Sequence, residues 1–297
     1  MTATTRRRLP QPIIDLYDEY THAPLDRRTF LDRLAVLAGG SAGAYALLPV
    51  LENNYALAQM VAADDTRLTT EDVSVPVPDG GQPVTAYVAR PAQGGGALPA
   101  VIVIHENRGL NPHIRDVARR VALAGYVAVA PDFLTSAGGT PEDEDRARDL
   151  IGQLDPAKTL AEALAVAAYA REGRPDVTGK VGTVGFCWGG ALVNQLAVND
   201  PQVAATVSYY GRQPSAEEAK RISAPIMLHY ASLDDRINAG IPPFTAAMVE
   251  AGIPYTLHMY QNVNHAFHND TNGARYDKAA ADLSWQRTMD FLDRHLK

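Results

Sequence analysis

The chain has 297 residues, 46% of them hydrophobic, a formal net charge of −7 and a single cysteine. That length fits one large domain or one domain with an extension, with enough apolar residues for a sizeable core. The negative balance argues against nucleic acid, whose phosphates would repel it, and one cysteine permits no intrachain disulfide.

Residues 1–65 differ in character from the remainder of the chain. Arg6-Arg7-Arg8 begins a polar stretch, and Asp26-Arg27-Arg28-Thr29-Phe30-Leu31-Asp32 comes next. Leu34 to Leu51 is moderately apolar and rich in Ala and Gly, and Ala56-Leu57-Ala58 is a small-x-small pattern ahead of Gln59. The run resembles a twin-arginine export signal, which implies a periplasmic or exported protein. It departs from that pattern at Asp32, in the long stretch before the arginines and at Glu52-Asn53-Asn54. The alternative is a helical arm retained by a cytoplasmic protein and packed on the domain or on a second subunit. No run in the main body reaches the roughly 20 apolar residues that span a bilayer, so no stable membrane anchor is expected.

Residues 66–297 read as one domain. Glu71 to Pro76 and Val84 to Arg90 alternate as two early strands joined through Asp79-Gly80-Gly81. A Gly-rich loop, Gln93 to Gly96, leads to Pro99–Ile104, a continuous apolar run of the kind covered on both faces. His105-Glu106-Asn107-Arg108-Gly109-Leu110-Asn111 comes after it, then a helix over Ile114 to Ala124 and a buried strand over Tyr126 to Ala130, closed by Pro131-Asp132. The charge run at 141–149 reads most simply as a solvated helix face, with a lid or binding loop as the alternative. Asp155 caps a long Ala-rich helix that reaches about Glu172. Val181 to Phe186 is a strand and Ala191 to Val198 a helix. Three strands (Val203–Tyr210, Pro225–Tyr230, Tyr255–Tyr260) then alternate with helices at Ala216–Arg221, Ile241–Ala251 and Arg275–His295. This alternation predicts an α/β fold, a mostly parallel central sheet with helices on both faces.

The sharpest motif is Gly185-Phe186-Cys187-Trp188-Gly189, a nucleophile elbow with cysteine in place of serine. Small residues two before and two after the nucleophile let strand and helix approach, and the helix N-terminus favours a thiolate. Two further strand-end loops carry Asp234 and His265, in the order nucleophile, acid, histidine expected of an α/β-hydrolase. His265 would take the Cys187 proton and Asp234 would orient His265. Asp235 and His268 are the rival acid and base. The oxyanion would be held by N–H groups of Trp188 and of the loop after Ile104, at Asn107. His265-x-x-His268 and His105-Glu106 lack zinc-site spacing, so no metal and no cofactor is expected.

Four separated motifs, the elbow, the Asp234 loop, Asn264-His265-Ala266-Phe267 and the His105–Asn111 loop, resemble the dienelactone hydrolase family over about residues 70–297. The resemblance implies the α/β-hydrolase fold, a Cys187-Asp234-His265 triad and a small-molecule ester or lactone substrate. It also implies that Glu106 contacts the resting thiol; the alternative for Glu106 is a helix cap. Dienelactone-cleaving members hold the substrate carboxylate with arginines, but Asn269 and the stretch Phe133-Leu134-Thr135-Ser136 stand where these are expected. Phe133, Arg108 and Arg236 are therefore the substrate-binding candidates, and neutral esters the expected preference. The reading from a different class is a non-hydrolytic thiol sensor built on Cys187. The oligomeric state is not legible in the sequence.

Overall fold

The computed structural model describes residues 9–56, 59–78, 80–93 and 96–297. The Arg6-Arg7-Arg8 stretch, Leu57-Ala58 of the small-x-small pattern, Asp79 of the first turn and Gly94-Gly95 lie outside the described residues.

Eight strands form one sheet: β1 (Leu68–Val75), β2 (Val84–Pro91), β3 (Leu98–Ile104), β4 (Val127–Pro131), β5 (Val177–Phe186), β6 (Val203–Tyr209), β7 (Ile226–Ala231) and β8 (Tyr255–Tyr260). Their order is β1-β2-β4-β3-β5-β6-β7-β8. The β1–β2 and β2–β4 pairs are antiparallel and the pairs from β4 through β8 are parallel. This is the mostly parallel α/β sheet the alternation predicts, in the α/β-hydrolase architecture the resemblance implies. The apolar run of β3 works as a strand covered twice. Val101 and Val103 enter the core beneath one helical layer, and Ile102 and Ile104 enter the other, because side chains alternate with period two.

Three helices come from the N-terminal region: α1 (Gln11–His22), α2 (Arg27–Leu37) and α3 (Ser41–Leu51). The domain adds α4 (Pro112–Leu123), α5 (Glu144–Gly152), α6 (Pro156–Glu172), α7 (Trp188–Asn199), α8 (Ala216–Ala219), α9 (Asp235–Asn238), α10 (Ile241–Glu250) and α11 (Lys278–Leu296). Helices α4 and α11 cover one sheet face, α6 and α7 the other. Asp155 caps α6, accepting from the N–H groups of Ala157 and Lys158.

The apolar stretch from Leu34 to Leu51 is not one helix. Gly39 and Gly40 take φ of 76° and 135°, conformations open to glycine, and α2 and α3 meet at a bend of 111°. Among the described residues no single helix is long and apolar enough to cross a membrane. The arm has a core of its own, with Ile13, Leu16, Tyr17, Tyr20, Phe30, Leu34, Ala44 and Leu51 buried together.

The charge run at 141–149 departs from a solvated face. Its residues on α5 form a seat for the arm. Asp145 accepts from Tyr20 Oη at 2.5 Å and pairs with Arg27 at 2.8 Å, Glu144 accepts from Asn53 at 2.8 Å and from Tyr55, and Arg148 donates to the Tyr20 carbonyl at 3.2 Å. The amphipathic pattern is as expected, but another segment of the chain occupies the polar side.

Candidate active site

Cys187 stands between β5 and α7 with φ 54° and ψ −112°. This left-handed backbone is strained for any residue with a Cβ, and it persists only where its surroundings enforce it. The enforcement is local. Cys187 N donates to Tyr209 O at 3.0 Å, and a Cβ on Gly185 would fall 2.1 Å from Gly189 O. On Gly189 it would fall 2.4 Å from His105 O, so each glycine is required by a close backbone approach. The thiol is thereby presented at the first turn of α7, where unpaired N–H groups favour negative charge.

Asp234 follows β7 and His265 follows β8. His265 Nδ1 lies 2.5 Å from Asp234 Oδ2, and both side chains are buried. Burial opposes ionisation of Asp234, but the charge and hydrogen bond of His265 hold its carboxyl below the usual range. His265 is pushed the other way: against burial, Asp234 and then Cys187 raise it to about 9. An opposite charge beside an imidazole favours its protonated form. His265 Nε2 is buried and has no hydrogen-bond partner among the described residues, although it lies within 4.8 Å of the thiol sulfur. The rivals are elsewhere. Asp235 is exposed at the start of α9, and His268 lies in the core, stacked on Phe186 at 5.1 Å with burial pushing its pKa well down.

The thiol has a second imidazole beside it. His22, the last residue of α1, places Nε2 3.3 Å from Cys187 Sγ. Its Nδ1 faces Asp18, 2.9 Å from the carbonyl and 3.2 Å from the carboxylate. Thr21 Oγ1 also lies 3.0 Å from Nδ1, and with a carbonyl and a carboxylate accepting there, Nδ1 is the nitrogen placed to donate. Burial opposes the Asp18 charge, but His22, His265 and Arg275 hold its carboxyl well below the usual range. The only sequence signal for this pair is an Asp and a His four residues apart on one helix, a spacing too common to single out.

The remaining candidates divide. Glu106, Asn107 and Arg108 border a small cavity with Cys187, His22 and His265. The carboxylate of Glu106 accepts from Asn269 at 2.6 Å and from Tyr210 Oη at 3.4 Å, while the thiol's contact is His22. Neither of the roles weighed for Glu106, thiol contact or helix cap, matches those bonds; Asn111 caps α4. Asn107 spends its side chain on the Thr21 carbonyl of the arm at 2.7 Å, which leaves its backbone N–H as the group in question. Trp188 stacks on His105 at 5.2 Å. Arg108 is buried and donates to the Glu144 carbonyl at 3.2 Å, so it holds the seat of the arm and does not face the main cleft. Phe133 is fully buried beneath Trp188, a core residue and not a cleft residue. Arg236 does line the cleft, with Asp18 at 3.7 Å.

That cleft has a volume of about 1290 Å³ and leads to Cys187 and His265 between the end of α1, the α5–α6 region, α7 and the loop after β6. The histidine pairs considered for a metal do not converge: His268 lies in the core, and His105 Nδ1 is 2.6 Å from the Glu106 carbonyl.

Comparison with known proteins bears on the family of the chain. Residues 84–296 match the model of the dienelactone hydrolase family, and residues 1–39 match a second model described as YqhI-like. A protein of Escherichia coli O157:H7 named "Putative carboxymethylenebutenolidase" is 32% identical over 234 residues, covering 74% of this chain and 85% of its own. One of the same name from Methylorubrum extorquens is 31% identical over 288 residues, covering 91% of this chain and 96% of its own. That span does not fit within residues 66–297, so the similarity extends into the arm. The crystal structure of a Klebsiella pneumoniae protein titled "Putative Dienelactone Hydrolase" superposes with a TM-score of 0.69 at 29% identity, covering 76% of this chain and 99% of its own.

Proposed function

The chain belongs to the dienelactone hydrolase family and is a hydrolase of that kind; from there we propose that it cleaves carboxylic esters or lactones through an acyl-enzyme on Cys187. The observation that carries this reading is the strained elbow, with a thiol at a helix N-terminus and a buried carboxylate–imidazole pair beside it. The Cys187 thiolate attacks the ester carbonyl carbon, and N–H groups at Trp188 and Asn107 receive the oxyanion. The C–O bond to the leaving group breaks as His265 gives it a proton, leaving a thioester. His265 then takes a proton from water, the hydroxide attacks the thioester carbonyl, and the C–S bond breaks to release the carboxylic acid as His265 returns its proton to the Cys187 sulfur. Asp234 keeps His265 in the tautomer and orientation this requires. Hydrolysis of p-nitrophenyl acetate, measured before and after iodoacetamide, tests the proposal. Turnover that survives complete alkylation of Cys187 overturns it.

The substrates that suit this cleft are neutral. A carboxylate-bearing lactone calls for a planar guanidinium that meets it with two hydrogen bonds. Arg108 is committed to Glu144, Arg236 stands beside Asp18 and Arg148 pairs with Asp145 and Asp149, which leaves Arg212 on the cleft wall as the guanidinium whose removal tests this preference.

The arm stays on the working enzyme in this reading. Export with cleavage before Gln59 would remove His22 and the partners of Asp145 and Asn107. Intact mass of the active enzyme from its native host separates the two: retention gives a mass that includes residues 11–51, and a chain beginning near Gln59 overturns it.

A further inference from the structure

We propose that His22, Cys187 and His265 form a tridentate site for a zinc ion, built jointly by the N-terminal arm and the hydrolase loops, and that its occupation reversibly shuts the nucleophile off. The inference rests in part on the reading of Cys187 as nucleophile, since that is what makes occupation inhibitory.

Three features of the geometry support it. First, one ring nitrogen each of His22 and His265 and Sγ of Cys187 lie mutually within 4.8 Å; for His22 that nitrogen is Nε2, and for His265 Nε2 is the one left free, because Nδ1 is held by Asp234. Tetrahedral zinc, with Zn–N of about 2.0–2.1 Å and Zn–S of about 2.3 Å, needs its nitrogens about 3.3–3.4 Å apart and each nitrogen about 3.5–3.6 Å from the sulfur. The His22–Cys187 separation of 3.3 Å is within about 0.3 Å of the N···S edge, and the His265 nitrogen lies inside the 4.8 Å bound on all three donors. Second, both imidazoles turn Nδ1 to a carboxylate, His22 to Asp18 at 3.2 Å and His265 to Asp234 at 2.5 Å. This carboxylate–histidine arrangement is the one that orients a metal-binding imidazole and raises its basicity. Third, His265 Nε2 is a buried polar atom without a hydrogen-bond partner among the described residues, and a cation would satisfy it.

One thiolate and two imidazoles make a donor set suited to zinc, with a fourth position left toward the cleft for water or another ligand. Binding replaces the thiol proton: Cys187–SH and Zn²⁺ give Cys187–S–Zn and a proton released to solvent. No electron is transferred. The bound sulfur cannot attack a carbonyl, and His265 cannot move a proton, until the ion leaves. Because one ligand comes from α1, the hydrolase loops alone hold only two.

The test uses the full chain, freed of metal by a chelator and titrated with Co²⁺ as a spectroscopic stand-in for zinc. The expected result is one ion per chain with a thiolate-to-cobalt charge-transfer band. Cys187→Ser should lose the band, His22→Ala should weaken Co²⁺ affinity at least about 100-fold, and Asp18→Asn should weaken it about 10–100-fold, as losing a carboxylate behind a ligand does. Asp18→Asn keeps the test decisive if His22→Ala loosens the arm. In parallel, Zn²⁺ should slow iodoacetamide alkylation of Cys187 in the wild type. Absence of the charge-transfer band overturns the site, as does a Co²⁺ affinity equal to wild type in both arm variants. A Co²⁺ band in a protein whose metal-free form has no esterase activity supports the site and overturns the nucleophile reading; esterase activity of the metal-free form with no band on Co²⁺ addition does the reverse.

Discussion

The hydrolase domain and the N-terminal arm both deliver an aspartate–histidine pair to one sulfur, but they hold those pairs by different physics. In the domain, Asp234 and His265 leave adjacent parallel strands of a sheet buried on both faces. Their positions are set by backbone ladders and by a close-packed core that transmits little play. In the arm, Asp18 and His22 share one amphipathic helix with a small core of its own. That helix is seated by polar bonds to Asn107, Asp145 and Arg148, and Gln11 adds a bond to Asn264 at 2.6 Å. These partners sit in or beside the loops that bear the site, and bonds of this kind contribute about 0.5–1.5 kcal/mol each, with more for charged groups. A histidine placed this way can be lost with its segment while the fold beneath it persists. One placed by the sheet cannot.

The largest expected effect separates the two pairs. Cys187→Ala should lower kcat/KM on the order of 10³-fold or more, since only oxyanion and binding contributions then remain. Asp234→Asn should cost on the order of 10³-fold, because it favours the wrong tautomer of His265. Asp18→Asn should cost at least about ten times less than Asp234→Asn. Steady-state kinetics on one neutral ester decides this, and equal losses from the two aspartates would erase the distinction between the regions.

The next effect is in substrate choice. A charge-assisted hydrogen bond is worth about 1.5–3 kcal/mol against about 1 for a neutral one, so each missing arginine should cost about tenfold in affinity for a carboxylate-bearing lactone. Neutral short-chain esters should therefore show the higher kcat/KM when compared with dienelactone at one pH and ionic strength. A preference for dienelactone that disappears in Arg236→Gln or Arg212→Gln would identify a clamp on the cleft wall, where both residues lie.

The smallest effect compares helix caps. Asp155 accepts from two N–H groups at the start of α6, at 2.9 Å each, and Asp26 accepts from Thr29 N at 3.0 Å at the start of α2. Each substitution by alanine should cost about 1 kcal/mol. Asp155→Ala should lower the main melting temperature by roughly 2–4 °C. Asp26→Ala should leave that transition in place and speed limited proteolysis within the arm. Equal shifts in melting temperature would show that arm and domain unfold as one unit.

Legibility in the sequence follows the range of the interaction. The elbow is local: Gly185, Cys187 and Gly189 are fixed by backbone approaches between a strand and the helix directly after it. Asp234 and His265 are distant from Cys187, yet each lies just past a strand, and a parallel sheet gathers such loops at one end. His22 has no such guide. Its contact with Cys187 spans 165 residues and depends on how a separate helical segment docks. The same holds for Glu144 and Asp145, which read as solvent-facing charges and are the arm's partners. Phe133 stands out in sequence only by its place after Pro131-Asp132, and burial beneath Trp188 removes it from the cleft.

By itself, then, the sequence determined the alternation of strands and helices, the covered faces of the sheet and the order in which Cys187, Asp234 and His265 follow their strands. Hydrophobic period and turn sterics are properties of neighbouring residues, and a chain displays them without folding. Only the tertiary structure decided that Asp18 and His22 stand beside the thiol, that Glu106 is bonded to Asn269 and Tyr210, and that Arg108 is spent on the arm's seat. Those outcomes turn on which of several polar partners is nearest once the arm has docked, and no periodicity records the competition.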